Sequence, residues 1–406
     1  MAQRQENMIA VLDIGSAWTR MLVAEVQEGA LRYRGHGIVA SAGMRKGLIA
    51  ELAPAAKVVK AACELAERVS RLNIDECIVG IGGPHIRGLN VSGAIELGSR
   101  PRDITPNDVA AVQDRAKSIE RPPDREFLHL LPREYILDDQ PGICDAVGMI
   151  GVRLEVDMHI ATCSGSARQS AITCANKAGI EVSETVLESI AAAEATLTAD
   201  ERELGVCLLD IGAHSTELAV FFESAVVHTS AIPIGGLHFT NDLAQGLQIP
   251  VQQAEELKCQ YGHAVVTAVP QEAEVEILHP SGPVKVPMRR LAEILEPRAE
   301  QLFHFVRESL RIGGVLEALG SGCVLTGGGA MLPGLHDIAE SKLRVQSRIG
   351  NPVRLSSQQT PAALVMPAFA TAVGMLLYVH RTRSTFVPAQ HGFRSKLRSL
   401  FTVGSF

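Results

Sequence analysis

Short apolar runs separated by glycine-bearing turns open the chain. Between residues 8 and 42 they alternate as in a strand meander. The period then changes. Over residues 53–72, Val58, Val59, Ala62, Leu65 and Val69 fall roughly on one face, which predicts a helix. Residues 77–82 read as a buried strand. Gly80, Gly82 and Gly83 do not complete a G-x-G-x-x-G spacing, so they read as a strand end. From residue 84 to 162 the character shifts, with five prolines between 101 and 132 and repeated charged pairs. An inserted small α+β unit is expected there. Further helices are expected over 167–178, 186–197, 250–261 and 291–311, with short strands up to about residue 287.

Two segments about two hundred residues apart carry one pattern. Each is an apolar run, then Asp-Ile-Gly, then small polar residues, then a second apolar run. The first centres on Asp13, Gly15 and Ser16, the second on Asp210, Gly212 and Ser215. Strand, tight turn, strand is the reading. A glycine lets the backbone turn where a side chain would clash. The following amides can face an anion, and the Asp can hold a hydrated cation. One such turn alone reads as an ordinary hairpin; duplication suggests two similar domains facing each other across a nucleotide. A third element follows in order: residues 323–326 enter Gly327, Gly328 and Gly329, with a helix expected next. Three consecutive glycines are entropically costly unless something approaches them closely.

Composition narrows the class. With 406 residues, two or more domains are expected. Lys plus Arg number 38 against 45 Asp plus Glu, which argues against a general nucleic-acid binder. Eight cysteines are scattered singly, without a Cys-x-x-Cys pair, so neither a zinc site nor a disulfide framework is indicated. The first ten residues lack a signal-peptide pattern, and a cytoplasmic location is expected. Residues 361–379 are uncharged and long enough to suggest a membrane span. Pro361 and Pro367 interrupt them, and their alanines and Gly374 suit close packing, so a buried interdomain helix from near Pro367 is favoured over a span.

Hairpin, hairpin and glycine loop, in that order, resemble the actin, Hsp70 and sugar-kinase superfamily. Residues 39–49, 128–138, 142–155, 201–206 and 254–262 resemble segments of the FtsA family, the actin-like proteins of bacterial cell division. The resemblance runs from about residue 8 to the C-terminus. It implies an α/β, actin-like ATPase fold: two related domains around a nucleotide cleft, with an FtsA-type inserted subdomain. The expected parts are 1–83 with 163–197 and 352–380; the insert 84–162; 198–243 with 312–351; a small subdomain 244–311; and a linker 381–392.

The resemblance also implies a site for ATP and magnesium. Asp13 and Asp210 would flank the metal through water. Gly15, Ser16, Gly212 and Ser215 would approach phosphate, and Gly327, Gly328 and Gly329 would line base and ribose. Glu255 and Lys258 share a helix face; on spacing alone they read as a solvated ion pair, by resemblance as a ribose or base contact. Glu188 occupies the position that orients attacking water, although a carboxylate there could also cap a helix. There are departures. Trp18 stands where the family usually has lysine, and Arg20 compensates only if it points inward. Ala213 and His214 replace glycines, and Glu217 replaces Asp. His214 reads either as a phosphate contact or as an exposed turn residue. Nucleotide binding with slow or absent hydrolysis is therefore expected.

Partners follow from the same resemblance. A tail peptide of FtsZ would dock on the helix carrying Glu296-Pro297-Arg298, with Arg298 as the contact and Gln301 where the family often has Glu. Head-to-tail polymers and other division proteins are implied too. The tail adds its own signal. From residue 341 onward there is no Asp or Glu but nine Lys or Arg. Phe393, Leu397, Leu400 and Phe401 form one helical stripe, flanked by Arg394 and Lys396 whose stems can snorkel. That is an interfacial helix pattern, and a docked terminal helix is the alternative. The expectation is a peripheral protein on the inner face of the cell membrane at the division site, bound to anionic lipid. A small-molecule or sugar kinase, or a pilus-assembly actin homologue, is the rival reading.

Overall fold

The computed structural model describes residues 7–118, 122–279, 282–356 and 360–385. The amphipathic stripe expected over 393–406 lies outside the described residues.

The opening meander is β1 (Met8–Ile14), β2 (Trp18–Gln27) and β3 (Ala30–Ala40), antiparallel neighbours. Both faces of β1 are buried. Leu12 packs with Val59 of α1 (Leu52–Ser70), and Val11 packs with a helix from near the end of the described chain. β4 (Glu76–Ile81) then joins β1 in parallel.

The insert follows as β5 (Arg87–Glu96), α2 (Pro106–Lys117), β6 (Arg125–Leu137), β7 (Gln140–Ile143) and β8 (Arg153–Ser164). A reciprocal Thr105–Asp108 cap starts α2, and Arg102 clamps Asp108 at 2.7 and 2.8 Å. Leu97, Val112, Leu154 and Met158 belong to a core of its own.

The chain returns through α3 (Gly165–Lys177) and β9 (Glu181–Leu187), giving a five-stranded sheet of order β3-β2-β1-β4-β9. The helix expected from residue 186 starts later. Val186 and Leu187 pair with Gly80 and Ile81 in the parallel ladder, so α4 is Glu188–Thr196.

After α5 (Ala199–Leu204), the strands β10 (Val206–Ile211), β11 (Thr216–Phe222) and β12 (Ala225–Ile232) repeat the meander. The helices α6 (Gly236–Leu247) and α7 (Val251–Tyr261), the hairpin β13 (Glu274–His279) with β14 (Gly282–Pro287), and α8 (Met288–Ile312) follow. β15 (Cys323–Thr326) joins β10 in parallel, and β16 (Ser347–Ile349) lies beyond it. The order β12-β11-β10-β15-β16 repeats β3-β2-β1-β4-β9 strand for strand. The insert strands join β12 through the Ser230–Arg87 pairing, making a nine-stranded sheet.

The triple glycine does not lead straight into a helix. Gly328–Met331 forms one 3-10 turn, Pro333 and Gly334 (φ +78°) intervene, and α9 is Leu335–Leu343. The uncharged run ending near residue 379 enters a helix after a 3-10 turn at Pro367–Phe369. This helix, α10 (Ala370–Thr385), packs on α4 and buries Ala372, Val373, Met375 and Leu376. It also extends into the segment expected as a linker. There the Thr382 and Ser384 hydroxyls donate to the Tyr378 and His380 carbonyls, and Arg381 pairs with Glu194 of α4. Among the described residues no helix is long and apolar enough to cross a membrane.

Candidate functional site

The two hairpins share one register. Asp13 of β1 faces Arg20 of β2, and Asp210 of β10 faces Glu217 of β11. Each turn is pinned by hydrogen bonds. Ser41 Oγ donates to the Gly15 carbonyl at 2.7 Å, and the Gly212 amide donates to the Ser215 carbonyl at 2.9 Å. A Cβ on Gly15 would come within 2.8 Å of the Trp18 carbonyl oxygen. The start of α6 locks the second turn, its Gly236 and Leu237 amides donating to the Gly212 and Ala213 carbonyls at 2.9 and 2.8 Å. Gly327, at φ +83°, turns the chain out of β15, where a side chain would run into Asp210 and the Ile211 backbone.

These turns wall a single cavity of about 440 Å³. Asp13, Gly15, Ser16, Glu188, Asp210, Gly212, Ser215, Glu255, Lys258, Gly327, Gly328 and Gly329 all line it. Trp18, Arg20, Ala213, His214 and Glu217 do so as well.

The cavity floor is strongly acidic. Burial pushes the Asp13 carboxyl upward, and the Arg20 guanidinium, 3.0 Å away, opposes that. Burial carries Asp210 up to about 6, against a 2.6 Å bond from the Thr371 hydroxyl. Burial first, then the Asp210 charge, raises Glu217, which accepts the Gly83 amide. Glu188 is pushed well above the carboxylate range by burial and by Glu217, Asp13 and Asp210. Its carboxylate makes no helix cap and instead faces the cavity beside Gly80 and Gly82.

At the opposite wall Lys258 Nζ donates to the Gly236 carbonyl (3.0 Å), Thr240 Oγ1 (2.9 Å) and Glu255 Oε2 (2.7 Å). With 12% of its side chain exposed, Lys258 is part of the wall rather than a solvated partner. His214 is half-buried rather than an exposed turn residue, and burial with His238 nearby lowers its pKa, so it is neutral at pH 7. Arg20 points inward and stacks over the Phe369 ring at 5.2 Å. Away from the cavity, Arg298 on α8 grips Asp242 of α6 through two bonds of 2.6 and 2.8 Å and also donates to Gln301.

Sequence reading missed Thr371, Phe369 and the role of Gly82. A Cβ on Gly82 would strike both the Glu188 and Glu217 carboxylates. Its glycine spacing was visible, but not what lay opposite. Thr371 and Phe369 come from a segment more than 150 residues downstream of Asp210 in the chain, and no local signal marks them.

A magnesium-carrying nucleotide fits these walls. Gly328 leaves open space where a side chain would stand. Burial and neighbouring carboxyls hold Glu188, Asp210 and Glu217 above the usual carboxylate range around a single guanidinium, and a divalent cation there would favour their ionised forms. Among the described residues no group of three His, Cys, Asp or Glu side chains is placed to hold a metal ion.

Comparison with known proteins bears on the fold and the family. The family profile described as cell division protein FtsA matches residues 207–374, and that of the SHS2 domain inserted in FTSA matches residues 83–162. The cell division protein FtsA of Pseudomonas aeruginosa is 37% identical over 375 residues, covering 92% of this chain and 89% of that protein. FtsA of Escherichia coli strain K12 is 33% identical over 382 residues, covering 92% and 90%. Among solved structures, the PilM-PilN type IV pilus biogenesis complex matches with a TM-score of 0.65 at 18% identity, covering 93% of this chain and 99% of that chain. MreB5 of Spiroplasma citri bound to ADP matches at 0.52 and 14% identity, covering 93% and 98%. Those two likenesses carry the actin-like ATPase fold, and the FtsA relatives carry the rest: the chain belongs to the FtsA family of cell-division proteins.

Proposed function

We propose that this chain binds ATP with magnesium in the cleft, polymerises head to tail, and tethers FtsZ to the inner face of the cytoplasmic membrane, with slow or absent hydrolysis. The observation that carries the nucleotide reading is the convergence of both hairpin turns, the triple glycine and the Glu255–Lys258 pair on one cavity. Asp13 and Asp210 would hold the hydrated metal, Gly15, Ser16, Gly212 and Ser215 the phosphates, and Gly327 to Gly329 the base and ribose. Bound nucleotide and metal supply the anionic ligand and the counter-charge for the floor.

The residues also give a physical reason for slow turnover. A general base must be ionised to accept a proton, and burial among like charges disfavours ionised Glu188. Ala213 and His214 place side chains on the turn that should offer bare amides to phosphate, and a neutral His214 adds no charge there. The tether reading rests on family membership together with the basic amphipathic pattern of 393–406. Docking of the FtsZ tail on α8 rests on Arg298 and Gln301.

Co-sedimentation with anionic liposomes and FtsZ, with and without ATP, tests the whole reading. Full-length protein should carry FtsZ onto vesicles, and a chain ending at residue 392 should not. If FtsZ reaches the vesicles equally well with the truncated chain, the tether reading fails. If wild type shows no heat with millimolar ATP and magnesium, the nucleotide reading fails.

A further inference from the structure

We propose that Arg20 is the residue that meets the nucleotide's phosphate charge in this chain, taking over from the lysine expected where Trp18 stands. The inference rests on the nucleotide reading of the cleft. Positions 18 and 20 lie two apart on β2, so both side chains leave the same face of the strand. Moving a cation from one to the other keeps it on that face, and arginine's longer, forked side chain recovers reach. Trp18 is 48% exposed and offers one neutral donor. The Arg20 side chain is only 14% exposed, and its Nη1 lies 3.7 Å from the point where a Cβ on Gly15 would sit. The guanidinium therefore lies directly beneath the first phosphate turn.

A plain structural ion pair with Asp13 does not account for this placement. Asp13 takes Nη1, while Nε is buried with no partner among the described residues. The Phe369 ring holds the guanidinium plane from behind. A cation fixed through Nη1 and against one ring face, with its charge shared with one carboxyl only, is held in place for an incoming oxyanion. Lys258, the other cationic side chain lining the cavity, already serves three acceptors. The register of the second hairpin adds an independent observation. The position equivalent to Arg20 is Glu217, so at that register only the first hairpin offers a permanent cation to the cleft. Arg20 therefore serves the phosphate side.

Calorimetry with ATP, ADP and AMP in magnesium tests this on wild type, Arg20→Met, Arg20→Gln and Trp18→Lys/Arg20→Met, with folding checked by thermal melts. Arg20→Gln keeps a donor toward Asp13 and decides the matter if Arg20→Met does not fold. The neutral variants should lose affinity for ATP by about tenfold or more. AMP affinity should stay within about twofold, and Trp18→Lys should restore most of the ATP affinity. ATP binding unchanged in the neutral variants overturns the inference and leaves the nucleotide reading standing. Equal losses for ATP and AMP also overturn it, since that is the signature of a residue that only supports Asp13. Absence of ATP binding by wild type overturns the nucleotide reading, and this inference with it.

Discussion

His159 is 1% exposed, and both its ring nitrogens are engaged. Asn90 Nδ2 donates to the Val227 carbonyl, so Asn90 Oδ1 accepts from Nδ1–H at 2.7 Å, and Nε2 accepts the Thr229 hydroxyl at 2.8 Å. Burial, with the charges of His228 and Arg133, lowers its pKa to about 3. The sign of the linkage follows. The unfolded chain takes up a proton near pH 6.5 that the folded chain refuses until about 3. The stability contributed is therefore complete above pH 6.5 and is lost as pH falls toward 3. His159→Leu strands the polar atoms of Asn90 and Thr229, so it should cost about 1–3 kcal/mol at pH 8. That deficit should shrink steadily in denaturant titrations at pH 6 and 4.5. A deficit independent of pH would mean that the imidazole is not held neutral. The residues that pin the insert to β12 were invisible as such in the sequence, because a histidine in a strand does not announce its partners some seventy residues away.

At the scale of elements, the contact between α4 and α10 decides how the two halves meet. Gly374 crosses α4 at Ala191, where a Cβ would run into the Ala191 carbonyl and the Ala192 amide nitrogen. The obstacle is backbone and cannot swing aside. Gly374→Ala should therefore destabilise by about 1–3 kcal/mol, although alanine is the better helix former by about 1 kcal/mol. A rise in denaturation midpoint for Gly374→Ala would show that the helices have room to separate. The alanines and Gly374 made this close packing legible in advance. The start of α4 was not, because Val186 and Leu187 suit either element until the parallel pairing with Gly80 and Ile81 claims them.

At the scale of the whole molecule, the chain is an actin-like cell-division protein with contacts expected at several surfaces. Asp242 neutralises Arg298 through two hydrogen bonds, so a partner carboxylate would compete with it for the guanidinium charge. Arg298→Gln should weaken FtsZ-peptide binding and leave ATP binding intact. Asp242→Asn, which loosens the internal pair, should strengthen capture of a peptide carboxylate. Peptide affinity indifferent to both changes, measured by anisotropy, would place the partner site elsewhere. For the tail, Leu397→Glu puts a charge into the apolar stripe, which is costly to bury. It should release the protein from anionic liposomes while the melting temperature of the body stays unchanged. Loss of that melting transition would instead identify a terminal helix docked on the body.

The sequence by itself determined the duplication, the order of the three glycine turns, the inserted unit and the turn residues that line the cleft. These are legible because turns and buried strands write local, periodic signatures: Asp-Ile-Gly between apolar runs, and a triple glycine after one. Tertiary structure alone decided what those residues face. Whether Arg20 lay in the cleft or in solvent was open, since strand alternation gives a face but not its occupant; Asp13 and Phe369 settled it by pairing and stacking. Thr371 reached Asp210 only because α10 folds back between the halves. The raised carboxyls of Glu188, Asp210 and Glu217 likewise exist only once two distant hairpins bury their charges together, since desolvation and like-charge repulsion depend on distance in space and not along the chain.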